Sequence, residues 1–252
     1  MMRRKSLVAN WKMNKSLHDL ESYVAGLRKQ GIFDQDRVDC VLAPPFPFLQ
    51  KMSELLRGSR VGLCAQDVFW EQKGAYTGEV SVSMLKDLGV SHVIVGHSER
   101  RQYFAETDEI VAKKTKACVE NGLVSICCIG ESLEERRSDR TISVLERQLA
   151  PVLAGLSSSN LLMIAYEPVW AIGTGVSASV QEAVEVHRFV RKRVKNSFGD
   201  EAGEKISILY GGSMNSANTL SLLSEKDIDG GLVGGASLEA DSFASMFRAI
   251  LQ

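Results

Sequence analysis

Ala165-Tyr166-Glu167-Pro168-Val169-Trp170-Ala171-Ile172-Gly173-Thr174-Gly175 continues directly from the apolar residues Leu161 to Ile164. A carboxylate, Glu167, therefore stands where a buried strand ends. Pro168 biases Glu167 towards extended backbone. Val169, Trp170 and Ile172 are large and apolar, yet they share a segment with two glycines, and no helix start is expected until about Ser177. Apolar residues in a loop need something to cover. A reactive acid on a rigid strand, joined to a hinged flap, accounts for both features better than a surface Glu before an ordinary loop.

Working outward, short apolar runs recur at Leu7–Ala9, Val38–Ala43, Val61–Ala65, His92–Val95, Val124–Ile129, Leu161–Tyr166, Ile206–Tyr210 and Gly231–Val233. Several are almost continuously apolar, as Val93-Ile94-Val95 is, which suits parallel strands buried on both faces. Between them lie helical periodicities over Ser16–Lys29, Thr107–Asn121, Glu134–Leu153, Ser179–Asn196, Asn215–Leu223 and Asp241–Leu251, with shorter ones over Pro47–Arg57 and Ser83–Leu88. Eight strand–helix alternations predict an α/β fold, a (β/α)8 barrel of eight parallel strands ringed by helices. A doubly wound open sheet is the competitor, but no GxGxxG follows the first strand; Asn10-Trp11-Lys12-Met13-Asn14 does. No linker interrupts the alternation, so 1–252 reads as one domain.

Lys and Arg number 30 against 31 acids, for a formal charge of -1. That balance gives no electrostatic case for nucleic acid or an anionic membrane. The five cysteines lie in apolar or helical runs without CxxC spacing, which reads as buried free thiols in a reducing compartment. No apolar region follows the basic start Met1 to Lys5, so a signal peptide is not expected, and no run is long enough to span a membrane. A cytoplasmic protein with no cofactor, metal, nucleic-acid or membrane partner is the expectation.

In such barrels the site lies at the C-terminal ends of the strands. Those ends deliver Asn10 and Lys12, then Gly96 to Arg100 with His97, Ser98 and Glu99, then Cys128 and Glu131, then Glu167, Gly211-Gly212-Ser213 and Gly234-Gly235-Ala236-Ser237. Read singly, each has an ordinary explanation. Lys12 is a solvated lysine, His97 a structural histidine, Glu131 an acid favouring a helix start, Cys128 core packing, and the glycine pairs turns. Taken together they form a set. Glycines let backbone N–H groups approach an anion closely. A base, an imidazole, a fixed cation and a phosphate cradle suit proton abstraction next to a carbonyl on a small phosphorylated substrate. The long segment from Gln66 to about Val80 carries Phe69, Trp70 and Tyr76, more than a solvated tip needs, and predicts a partner surface and a homo-oligomer.

The residues that carry this chemistry also resemble a known family. Asn10 to Asn14, Val95 to Arg101, Cys128 to Glu131, Ala165 to Gly175, Tyr210 to Ser213 and Leu232 to Ser237 are similar, in order, to the blocks of triosephosphate isomerases. The resemblance implies the TIM barrel and the cofactor-free interconversion of dihydroxyacetone phosphate and D-glyceraldehyde 3-phosphate, in glycolysis and gluconeogenesis. It implies Glu167 as base, His97 as electrophile and Lys12 as electrostatic stabiliser. Asn10 would line the site, and Ser98 and Glu99 would support His97 and Lys12. Gly173, Ser213, Gly234 and Gly235 would hold the phosphate, Ile172 and Leu232 would wall the pocket, and Cys128 would lie nearby. The flap would run from Pro168 to Ala178, closing on Tyr210 and Ser213. The third loop, with Thr77 at its tip, would reach the neighbouring subunit of a homodimer. Three positions depart from the family's usual residues: Asp67, the hinge Val176-Ser177-Ala178, and Met214. Two other readings remain at this stage. A barrel enzyme for a different phosphorylated sugar or ring would keep the glycines but lack the joint set Lys12, His97 and Glu167. A non-catalytic phosphate-binding protein would lack at least one of the three.

Overall fold

The computed structural model describes residues 3–158, 160–172 and 178–251. Its strands are β1 (Lys5–Asn10), β2 (Val38–Ala43), β3 (Gly62–Ala65), β4 (His92–Val95), β5 (Val124–Ile129), β6 (Leu162–Tyr166), β7 (Ser207–Tyr210) and β8 (Gly230–Val233). Each pairs in parallel with the next, and β1 pairs with β8, so the sheet closes into a barrel. That closure rules out the open doubly wound sheet.

The uninterrupted apolar runs have a simple cause. Alternate residues face opposite layers, and both layers are dry. On β6, Met163 and Ala165 point into the barrel with Val8, Val41, Ile94, Ile126, Leu209 and Leu232. Leu162, Ile164 and Tyr166 point out into the larger layer between strands and helices. The five cysteines are free and buried in these two layers.

Most helices follow the expected periodicities. The short helix Asp200–Lys205 was not expected, and three further differences stand out. The predicted helix over Glu134–Leu153 is two helices, Leu133–Arg137 and Thr141–Ala154. Asp139 breaks it with φ +53°, a left-handed conformation that Asp tolerates better than most residues. Only Thr219–Leu223 of the predicted Asn215–Leu223 helix is α-helical. Asn215 Oδ1 accepts from Ala217 N, and Asn218 Oδ1 accepts from Asn215 N, both at 2.9 Å. Such local bonds offer the backbone an alternative to the helix. Finally, a 3-10 turn over Val169–Ala171 precedes the helix Val180–Phe198, where no helical turn was expected.

The segment after β3 lies largely exposed. Its aromatics stack on one another, Phe69 on Trp70 at 4.0 Å and on Tyr76 at 4.5 Å between ring centroids. Thr77 at the tip is exposed.

Candidate active site

At the C-terminal mouth of the barrel is a cavity of about 330 Å³, lined by residues from the ends of β1, β4, β6, β7 and β8. Asn10, Lys12, His97, Glu167, Ile172, Ser213, Leu232, Gly234 and Gly235 all line it. Ser98 does not line it but donates its N–H to Glu167, Glu99 lines the neighbouring cavity, Cys128 lies in the barrel core, and Thr77 is elsewhere. Gly173, Val176 and Ser177 lie outside the described residues; Ala178, the last residue of the expected hinge, is buried.

Lys12 is held in a conformation that a lysine rarely adopts, φ +51°. Such strain persists only where neighbours fix it. Here Asn10 Oδ1 accepts from Lys12 N at 3.0 Å, and Gln66 Nε2 donates to Lys12 O at 2.9 Å. The ammonium lies 2.6 Å from Glu99 Oε1. Its stem crosses Gly234, where an added Cβ would be 3.3 Å from Lys12 Cε. The cation and the glycine cradle are therefore adjacent.

His97 caps the helix Ser98–Tyr103, the helical turn that Ser98-Glu99-Arg100 suggested. Its Nδ1 accepts from Glu99 N at 3.2 Å, so the proton of the neutral ring sits on Nε2. Nε2 lies 2.9 Å from Glu167 Oε1, and Ser98 N donates to Glu167 Oε2 at 2.9 Å. Both carboxylate oxygens thus accept from β4's end. Burial disfavours charge on Glu167, but the His97 side chain, the Ser98 N–H and Lys12 outweigh it and hold its pKa below the ordinary carboxylate value. Burial also opposes charge on His97; the Glu167 carboxylate outweighs that and raises the histidine's pKa. The rise depends on Glu167 staying beside the ring. The Glu99 N–H bond to Nδ1 does not, and it favours the uncharged imidazole.

Two glycines make room for the acid. A Cβ on Gly211 would come within 2.8 Å of Glu167 Cγ, and one on Gly130 within 1.7 Å of the Glu167 carbonyl oxygen. Cys128 packs in the inner core, and burial, with the charge of Glu167, pushes its thiol well above the usual range. It is a packed thiol here.

Three features escaped the sequence. Glu131, expected to favour a helix start, is fully buried and accepts instead from Tyr166 Oη at 3.1 Å, Trp170 Nε1 at 3.0 Å and Arg136 at 3.2 Å. Its carbonyl accepts from Val169 N at 3.1 Å. Glu131 therefore fastens the 3-10 turn Val169–Ala171 to the end of β5, and the Arg136 guanidinium stacks over Trp170 at 4.7 Å. Asp67 forms a buried cluster at the foot of the third loop. It pairs with Lys114 at 2.7 Å and with Arg100 at 2.9 Å, and Glu106 pairs with the same two cations. Two acids balance two bases there. Met214 also lines the cavity, a contact not expected from the sequence.

Beside the first cavity is another of about 290 Å³, which shares Asn10, Lys12 and His97 and opens towards Met13, Phe46 and Phe104. Met13 is 94% and Phe104 64% exposed, so this wall is an uncovered apolar patch.

Comparison with known proteins agrees in kind. The family model described as triosephosphate isomerase matches residues 5–250. The chain is 48% identical over 249 residues to a triosephosphate isomerase of Endomicrobium trichonymphae, covering 98% of this chain and 99% of that one. It is 49% identical over 249 residues to one of Citrifermentans bemidjiense, covering the same shares. A Dictyoglomus thermophilum relative of the same description is 45% identical over 250 residues, covering 98% of this chain and 100% of that one.

Proposed function

The chain belongs to the triosephosphate isomerase family, whose reaction interconverts dihydroxyacetone phosphate and D-glyceraldehyde 3-phosphate, and we propose that Glu167, His97 and Lys12 carry that reaction here. The observation that supports this reading is the pairing of Glu167 with His97 Nε2 at 2.9 Å above the barrel mouth, with Lys12 in the same cavity. Base and proton donor point at one small volume, and they occupy each other until a substrate separates them.

Glu167 would take a proton from the carbon next to the carbonyl. The electron pair moves into the new C=C bond, and the carbonyl oxygen becomes the enediolate oxygen. His97 Nε2–H donates to that oxygen, and Lys12 stabilises its charge. Returning the proton from Glu167 to the neighbouring carbon, with His97 moving a proton between the two oxygens, completes the isomerisation. An uncharged imidazole as electrophile is the established pattern of this family. The Glu99 N–H bond to Nδ1 supports it in this chain. Ser213, Gly234 and Gly235 would hold the phosphate with backbone groups. The Pro168–Ala178 flap would exclude water and protect the enediolate.

A coupled assay with glyceraldehyde 3-phosphate, without added metal or nucleotide, tests the activity. Turnover to dihydroxyacetone phosphate is expected, and none under those conditions would overturn the assignment.

We read residues 1–252 as one domain that works as a homodimer in the cytoplasm, on a small triose phosphate and without nucleic acid or membrane. Among the described residues, no helix is long and apolar enough to cross a membrane. The support for a dimer is the uncovered wall of Met13, Phe46 and Phe104 beside Lys12, together with the exposed tip at Thr77. A second copy's third loop would cover that wall. Sedimentation at micromolar concentration is expected to give twice the 27.7 kDa of the chain. Thr77→Arg is expected to shift the protein to monomer and to lower kcat with it. A monomeric unaltered chain would remove the dimer from this reading.

A further inference from the structure

Met214 sits in the connection after β7, between Ser213 and the turn that begins at Asn215, yet it is only 4% exposed. Its side chain belongs to the layer between strands and helices, with Leu7 and Tyr210. There it crosses β8 at Gly231. A Cβ on Gly231 would lie 2.4 Å from Met214 Sδ and 3.3 Å from its Cε. Gly231 pairs with Tyr210 on one side and Leu7 on the other, so the thioether fills a gap over three neighbouring strands.

The neighbours of this contact are the two halves of the glycine cradle. Ser213 immediately precedes Met214. Leu232, Gly234 and Gly235 follow Gly231 on the same strand and its end, and all of them line the cavity. Met214 is thus a side-chain link from the turn after β7 to the strand that presents the turn after β8. Methionine suits it, being unbranched and able to fill an irregular gap. Close-packed interiors pass a displacement on to their neighbours.

We propose that Met214 is a positioning residue for the phosphate cradle: its thioether, seated in the space that Gly231 leaves open, fixes the Gly212–Ser213 turn relative to the Gly234–Gly235 turn. The inference rests on the phosphate reading of that cradle, and it adds a residue pair to it. Met214 touches no reacting atom, so its effect falls on substrate binding more than on proton transfer.

Inorganic phosphate as a competitive inhibitor is the probe, with KM, kcat and melting temperature read in parallel. Met214→Ala removes the link without creating an overlap. It is expected to raise the phosphate inhibition constant and KM by about tenfold, well short of the ~100-fold that misplacing a reacting group by an ångström costs, with kcat within about twofold. Gly231→Ala forces Met214 aside and is expected to act in the same direction. In Gly231→Ala/Met214→Val the added methyl occupies part of what the smaller side chain vacates. The pair is in contact, so its effects should be non-additive, with recovery to within about threefold of the unaltered chain. An unchanged inhibition constant in Met214→Ala overturns the inference, as does a Gly231→Ala/Met214→Val variant whose effect equals the product of the effects of Gly231→Ala and Met214→Val measured singly. Met214→Ala decides alone if Gly231→Ala does not fold. If phosphate fails to compete with triose phosphate on the unaltered chain, the cradle reading itself falls, which is a different result.

Discussion

Glu167→Gln is expected to lower kcat by on the order of 10³-fold, the middle of the range for a positioned general base. That corresponds to about 4 kcal/mol of barrier. KM and the inhibition constant for inorganic phosphate should change by far less, because the cradle residues lie at the ends of other strands. The substitution keeps the shape, which matters where Gly211 leaves so little room at Cγ. It does not keep the hydrogen bonds. Both carboxylate oxygens accept, one from Ser98 N and one from the His97 side chain. An amide can accept from only one of them and must turn its own N–H groups towards the other donor. Glu167→Asp serves as the companion variant: it retains the charge and both acceptors but withdraws them by one methylene, so it should lose less. Turnover unchanged in Glu167→Gln would end the assignment of the base. The pH dependence has a defined sign. Against burial, the His97 side chain and the Ser98 N–H hold the pKa of Glu167 below the ordinary carboxylate value in the free protein, so its base form persists as pH falls below the ordinary carboxylate range. An acid limb of kcat/KM near pH 6 would then belong to the second ionisation of the substrate phosphate rather than to Glu167.

The sequence carried the barrel and the site unequally. The strands were readable because parallel strands buried on both faces leave continuous apolar runs, as Val93-Ile94-Val95 does. The candidate site was readable because the fold places residues at the ends of those runs, so finding the runs also picked out Lys12, His97 and Glu167, which line one cavity. The interactions that tie the ends together were not readable. Glu131 meets Trp170 across 39 positions, and Asp67 meets Lys114 across 47. No local spacing encodes either pair. Asp67 shows what position alone leaves out: the sequence marks it only as a departure from the family's usual residue, and it is one of four charges in a buried cluster. Helix ends failed for a different reason. Asp139 and Asn215 compete with helix geometry through their own backbone preferences, while the apolar periodicity runs on past them.

His97→Gln is expected to lower kcat by on the order of 10²-fold, the loss typical of removing one donor from a developing oxyanion. The difficulty is that His97 has two roles. Its Nε2 faces the cavity, and its Nδ1 caps the Ser98–Tyr103 helix through Glu99 N. A drop in activity from the second role alone would look the same in a single assay. His97→Asn separates them. Asparagine is among the best N-cap residues, and restoring a cap is worth ~1 kcal/mol of stability. Its side chain is too short to place a donor where Nε2 stands. If His97 works as the electrophile, His97→Asn should keep the melting temperature of the unaltered protein and still lose activity as His97→Gln does. If the histidine is structural, His97→Asn should restore both. A second readout comes from the coupling to Glu167. Burial lowers the histidine's pKa, and the carboxylate overcomes it. Removing that charge in Glu167→Gln leaves burial and the Glu99 N–H in control, so the His97 ring should titrate at lower pH than in the unaltered protein. An NMR titration of the imidazole measures the direction. A His97 pKa that stayed put or rose in Glu167→Gln would mean that the acid does not control the ring's charge, and the uncharged electrophile would lose its physical basis in this chain.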